Sequence, residues 1–168
     1  MIIAVFGLPG SGKSFFARQL ALRIDGLLIS SDAVRNDMAR GGRYDEKTKT
    51  EVYQMMFVMM GDAIRDNRNV VIDATFYKEN IRSLFKEKAS ELQHPLYFIE
   101  IRAPEEIIKE RVSKKRIDSE ADFGVYLKIK EEFEPLKEDH LVLYSDHEAL
   151  SKMLDTALAY INFKNEKR

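Results

Sequence analysis

Short, unbroken apolar runs recur along the chain: IIAVF at 2–6, LLIS at 27–30, NVVID at 69–73, LYFIEI at 96–101 and HLVLY at 140–144. Runs of this length without polar alternation suit strands buried on both faces. The segments between them are too long for hairpin loops and have the length of crossover helices. Helical spacing of apolar positions covers 12–24, 32–40, 46–67, 77–92, 104–115, 120–133 and 147–163. Gly26 and Asn67 stand as stop signals after two of these, and Pro104 stands in the first turn of another. The pattern predicts one α/β domain over 1–168, a parallel sheet with helices on both faces. The polar stretches ARGGRYDEK at 39–47 and KKRIDSEAD at 114–122 break the pattern and are expected to be mobile loops over a site.

Composition narrows the function classes. With 168 residues the chain is long enough for one core, and it has no cysteine, which removes disulfide, thiolate and zinc-knuckle chemistry and suits a reducing compartment. Lys plus Arg number 27 against 28 Asp plus Glu, a formal charge of −1, so net charge gives no support to a nucleic-acid or membrane partner. MIIAVF lacks the basic lead and small-residue cleavage site of a signal peptide, and no apolar stretch has the length of a membrane span. The expectation is a cytoplasmic domain.

The first strand runs into GLPGSGKS, a full match to the phosphate-binding loop pattern Gly7-x-x-x-x-Gly12-Lys13-Ser14, with a strand before it and a helix after it. Glycines let backbone N–H groups curl around phosphate oxygens, and the positive end of the helix adds to that field. Gly7, Leu8, Pro9, Gly10, Ser11, Gly12, Lys13, Ser14 and Phe15 are therefore assigned to nucleotide binding. Lys13 would reach the terminal phosphates and Ser14 would ligate magnesium. A tight strand-to-helix turn would not require the lysine and serine. Nucleotide binding alone leaves a kinase, a GTPase-like switch and an ATPase motor or regulatory module open. No Asn-Lys-x-Asp guanine-reading motif is present, and the third apolar run ends VVIDAT with one acid rather than two. A small kinase fits best.

The ordered set GLPGSGKS, ISSDAVR, NVVIDATF, IRAPEEIIKERVSKKR and SEADFGVYLKIKEEFEPL, spanning Met1 to about Pro135, resembles the small P-loop kinases grouped with zeta-toxin kinases and the kinase domain of polynucleotide kinase. That resemblance implies a P-loop NTPase fold with five parallel strands in the order 2-3-1-4-5 and a lid near 114–122. It implies that Asp32 prepares an acceptor hydroxyl and that Arg35, one helical turn on, holds substrate or transferred phosphoryl. Alternatively, Ser31 or Asp32 would simply cap a short helix, with Arg35 as a surface ion-pair partner. Asp73, at a strand's carboxyl end, matches the acid that joins Ser14 at magnesium, or else is an N-cap; Thr75 would line the acceptor pocket. In the lid, Arg111 would stack on adenine and Arg116 would face the phosphates, with Lys115 the competing cation. Arg40, Arg43 and Tyr44 form either a substrate clamp or an ordinary turn.

The resemblance thus implies an ATP- and Mg2+-dependent kinase. It would transfer the γ-phosphate to a hydroxyl of a small molecule, nucleotide or polynucleotide 5′ end. A nucleotide-sensing regulatory ATPase or binding module without an acceptor is the alternative. Other signals are bland: Met55, Met56, Met59 and Met60 read as core filling, His94, His140 and His147 show no metal-ligand spacing, and the DFG tripeptide at 122–124 has no catalytic loop upstream.

Overall fold

A computed structural model describes residues 1–38, 43, 45–113, 123–145 and 149–166. Five parallel strands, β1 (Ile2–Phe6), β2 (Leu27–Ser30), β3 (Val70–Asp73), β4 (Leu96–Arg102) and β5 (Leu141–Tyr144), form a sheet in the order β2-β3-β1-β4-β5. This is the P-loop NTPase-like kinase fold, and the strands fall within a residue of the apolar runs.

Seven helices accompany the sheet among the described residues: α1 (Lys13–Arg23), α2 (Ser31–Asp37), α3 (Glu46–Arg65), α4 (Glu79–Glu91), α5 (Glu105–Ser113), α6 (Phe123–Glu131) and α7 (Leu150–Glu166). Strand alternation divides the core. Ile2, Ala4, Phe6 and Phe98 face a cluster with α3 and α4, including Val52, Met56, Met60, Phe85 and Ala89. Ile3, Val5, Ile99 and Ile101 face a second cluster with α1 and α7, including Phe16, Leu20, Met153 and Ile161. The methionines split accordingly: Met56 and Met60 are buried, Met59 packs at the edge of the core and Met55 is exposed. Phe123 and Gly124 begin α6, while Asp122, like His147, Arg40 and Tyr44, lies outside the described residues.

The helix ends show where local chemistry acts. The αL residues closing α1, α3 and α4 are Asp25, Asn67 and Gln93, each followed by an N–H that reaches back to a carbonyl in the last turn. Asn67 is as expected, but after α1 the left-handed position is taken by Asp25, and Gly26 follows it. Gly26 closes the turn by donating to the Ala21 carbonyl at 2.8 Å. At the start of α3, Asp45 accepts from the Thr48 backbone N–H at 3.0 Å and from its hydroxyl at 2.8 Å. These bonds favour the ionised carboxylate and hold its pKa below the ordinary value. Among the described residues no helix is long and apolar enough to cross a membrane.

Gly61, inside α3, has open space where a side chain would start, with no atom within 4 Å of an added Cβ. Gly61→Ala is therefore expected to stabilise the protein by about 0.5–1 kcal/mol, because alanine loses less backbone entropy in a helix. A higher urea midpoint at unchanged slope would show it, and a lower midpoint would contradict it.

Candidate functional site

The strand order dictates where the chemistry collects. Because β3 lies between β1 and β2, its last residue, Asp73, pairs in register with Val5 on one side and Ser30 on the other. The glycine loop leaving β1 and the start of α2 therefore flank Asp73 at the carboxyl edge of the sheet, the usual ligand edge of open parallel sheets.

The loop's shape demands glycine at its entrance. Gly7 has φ +142°, and a Cβ there would lie 2.3 Å from the Ile101 carbonyl oxygen of β4. Gly12, at φ +94°, caps α1 with no side-chain bond, which leaves the helix's first N–H groups for a ligand. The loop is braced from the other side of the sheet. Ser145 Oγ donates to the Ser11 carbonyl at 2.6 Å, while Arg111 Nη1 reaches the same carbonyl at 3.2 Å and Ser145 Oγ at 2.7 Å. Arg111 Nη2 donates to the Ser145 carbonyl at 2.9 Å. The Arg111 guanidinium, which the resemblance implies stacks on adenine, is here tied to the phosphate loop and Ser145, and Ser145 has no signal in the sequence that singles it out.

Asp73 is buried. Its Oδ2 accepts from Ser30 Oγ at 3.1 Å, and its Oδ1 has no partner in hydrogen-bond geometry among the described residues. Burial pushes its pKa above the ordinary carboxylate value; the Lys13 charge and the Ser14 hydroxyl pull it back, and the Asp32 charge adds to the rise. A buried carboxylate oxygen left without a partner beside a serine hydroxyl is an oxygen donor set that suits a hard cation such as magnesium. Ser14 and Asp73 therefore fit the metal.

On α2, Arg35 Nη1 donates to Asp32 Oδ1 at 2.6 Å. The arginine side chain is 8% exposed and the aspartate 45%, so the guanidinium is set in the wall and the carboxylate stands at the surface of the site. The capping alternative does not form: Ser30 is the N-cap and makes no side-chain capping bond, while Asp32 lies within the first turn of α2 and pairs with Arg35.

Beyond Asp73 the chain makes an unusual bend. Phe76 is fully buried with φ +47°, a left-handed conformation that costs an aromatic residue energy. It is held by packing against Phe85 and Phe98 and by Arg82, whose Nη1 donates to the Phe76 carbonyl at 2.7 Å. Arg82 is itself wholly buried and takes Glu79 with its Nε and Nη2. The bend places Thr75 and Tyr77 along the site.

A cavity of about 470 Å3 joins these parts. Pro9, Gly10, Gly12, Lys13, Ser14 and Phe15 line one end, and Asp32, Arg35, Asp73 and Thr75 line the middle. Gly7, Leu8 and Ser11 shape the loop without lining the cavity. Arg116, Lys115 and the rest of 114–122 lie outside the described residues. The far end is made by residues the sequence did not single out, Glu46, Lys49 and Tyr53 of α3, Tyr77 and Lys78 after β3, and Lys128 and Glu132 near α6. Lys49 and Tyr53 share a helix face at i, i+4, a signal equally typical of a solvated surface.

The AAA domain family matches the chain over residues 2–136. No curated protein gives a match by sequence. Among solved structures, a sugar kinase from Janibacter sp. HTCC2649 is similar at TM-score 0.73 and 20% identity, covering 96% of this chain and 94% of that one. A gluconokinase from Sinorhizobium meliloti 1021 is similar at TM-score 0.71 and 19% identity, with 98% and 93% covered. The Mycobacterium tuberculosis APS kinase, solved with AMPPNP and APS, is similar at TM-score 0.73 and 15% identity, with 96% of each chain covered. A phosphate loop entered from the central strand, a buried acid on the adjacent strand and a family match over most of the sequence agree: the chain belongs to the AAA domain family.

Proposed function

We propose that this protein is an ATP- and Mg2+-dependent kinase that transfers the γ-phosphate to a hydroxyl group of a small molecule, with nucleotides and polynucleotide 5′ ends included in the first search. One observation carries the proposal: Lys13 and Ser14 share a single cavity with Asp32, Arg35 and Asp73. A nucleotide switch needs the first pair and the buried acid; a carboxylate and guanidinium facing them across the same space suit a second substrate. Similar folds solved as a sugar kinase, a gluconokinase and an APS kinase support it.

Each residue takes a role in that transfer. Loop amides and Lys13 bind the terminal phosphates. Ser14 and Asp73 would hold magnesium, which would neutralise charge on the phosphate oxygens. Asp32 Oδ1 is committed to Arg35, so Oδ2 takes the acceptor proton as the acceptor oxygen bonds to phosphorus and the bond to the β-phosphate oxygen breaks, releasing ADP. Arg35 fixes the carboxylate, and the resemblance assigns Arg116, outside the described residues, as a further cation.

The test is incubation with γ-labelled ATP, magnesium and a pooled metabolite and RNA extract. Label in an organic product, dependent on the extract, is expected. Label released only as inorganic phosphate, with no stimulation by any acceptor, would instead identify a regulatory ATPase.

A further inference from the structure

The far end of the cavity carries its own record of what it binds. Most cations of the cavity's middle and far end already have carboxylates beside them: Arg35 with Asp32 at 2.6 Å, Lys49 with Glu46 at 2.8 Å and Lys78 with Glu132 at 3.3 Å. Among the described residues only Lys128 lines this end without a carboxylate within salt-bridge distance. A phosphate or carboxylate on the acceptor would find Lys128 alone not already paired among the described residues, and any further contact would bring it against Asp32, Glu46 or Glu132 beside their own cations. Sites that read such anions present cations in excess, often as arginine forks.

The neutral groups point the same way. Tyr53 has no hydrogen-bond partner among the described residues, and burial pushes its pKa up to about 12, so at neutral pH its hydroxyl is an uncharged donor and acceptor. The Tyr77 hydroxyl accepts from Lys49 Nζ at 3.4 Å and keeps its own proton to give. The Tyr77 ring has the Lys78 ammonium 5.4 Å from its centroid, and Lys49 approaches its hydroxyl edge. This end offers both donors and acceptors, from Lys49, Lys78, Tyr53, Tyr77, Glu46 and Glu132. An alcohol both donates and accepts, so neighbouring hydroxyls of a polyol bridge an ammonium and its carboxylate without separating them.

We propose that the acceptor is an uncharged, polyhydroxylated small molecule, read by Glu46, Lys49, Tyr53 and Tyr77. This rests on the kinase activity proposed above and narrows its substrate.

The experiment gives the full-length protein γ-labelled ATP and magnesium with separate acceptors at equal concentration: neutral hexoses and hexitols, gluconate, nucleoside monophosphates, and a 5′-hydroxyl oligoribonucleotide. The neutral arm is expected to be labelled with a kcat/KM about tenfold or more above the others, the equivalent of losing one hydrogen-bonded charge pair. Preferential labelling of gluconate, a nucleotide or the oligonucleotide would overturn the substrate assignment and leave the kinase standing. Bound ATP with no labelled acceptor in any arm would overturn both. Tyr53→Phe and the surface-tolerant Glu46→Gln are each expected to raise the KM for the neutral acceptor about tenfold, with kcat and the KM for ATP little changed. Unaltered acceptor KM in both variants would remove this wall from recognition.

Discussion

Asp32→Asn is expected to slow phosphoryl transfer by about 10²–10⁴-fold, the usual range for losing a positioned general base, while ATP still binds. The amide keeps the size of the carboxylate and one oxygen for Arg35, but it cannot take the acceptor proton. Arg35 complicates the substitution, because its guanidinium is set in the wall and its 2.6 Å contact is with Asp32. Asp32 is nearly half exposed, so water replaces part of that lost charge and the folding penalty stays below what a fully buried pair would give. Single-turnover transfer, nucleotide affinity and thermal unfolding measured on the same preparation separate the effects. Transfer at the wild-type rate with ATP bound would remove Asp32 from the mechanism.

Gly7→Ala is expected to destabilise the protein by about 3 kcal/mol or more, combining an unfavourable backbone angle with overpacking, and to weaken ATP binding with it. At φ +142° the new methyl would stand 2.3 Å from the Ile101 carbonyl oxygen. That oxygen belongs to β4, which is paired on both edges, with β1 and with β5, so neither partner can give way cheaply. The loop would have to move instead, and its carbonyls are tied to Arg111 and Ser145. Chemical denaturation and ATP titration check this, with Gly61→Ala as the counterpart in which the same methyl meets nothing. Equal stability of the Gly7 and Gly61 variants would show that the loop is not clamped.

Much of this architecture is legible in the sequence because burial on both faces leaves no polar alternation in a strand. The five runs could be found from that pattern alone, and Asp73 stands out as the acid that ends one of them. The strand order came from family resemblance, since apolar runs carry no information about which neighbour each will pair with. The phosphate loop is legible for a different reason: glycine is costly unless the backbone needs it, so glycines ahead of Lys13 and Ser14 mark a cradle. What stayed hidden is built from contacts distant in the chain or from ordinary surface residues. Ser145 meets Ser11 only because β5 and the loop share one edge of the sheet. Glu46 and Lys49, three residues apart on α3, have the spacing of any solvated helix pair, and nothing in their identity reveals that Tyr77 comes up beside them. Asp25 took the left-handed position expected near Gly26 because an aspartate tolerates that conformation.

The bend at Phe76 divides the molecule's labours. Upstream of it, Asp73 is fixed by the strand ladder and by Ser30; downstream, Tyr77 and Lys78 meet half-exposed partners on α3 and near α6. Arg82 pins the joint between them from inside α4. If the proposed kinase reading holds, substitutions along the outer helices would change which acceptor is taken while the phosphate-binding edge keeps its alignment, so one frame could change its diet without relearning its chemistry.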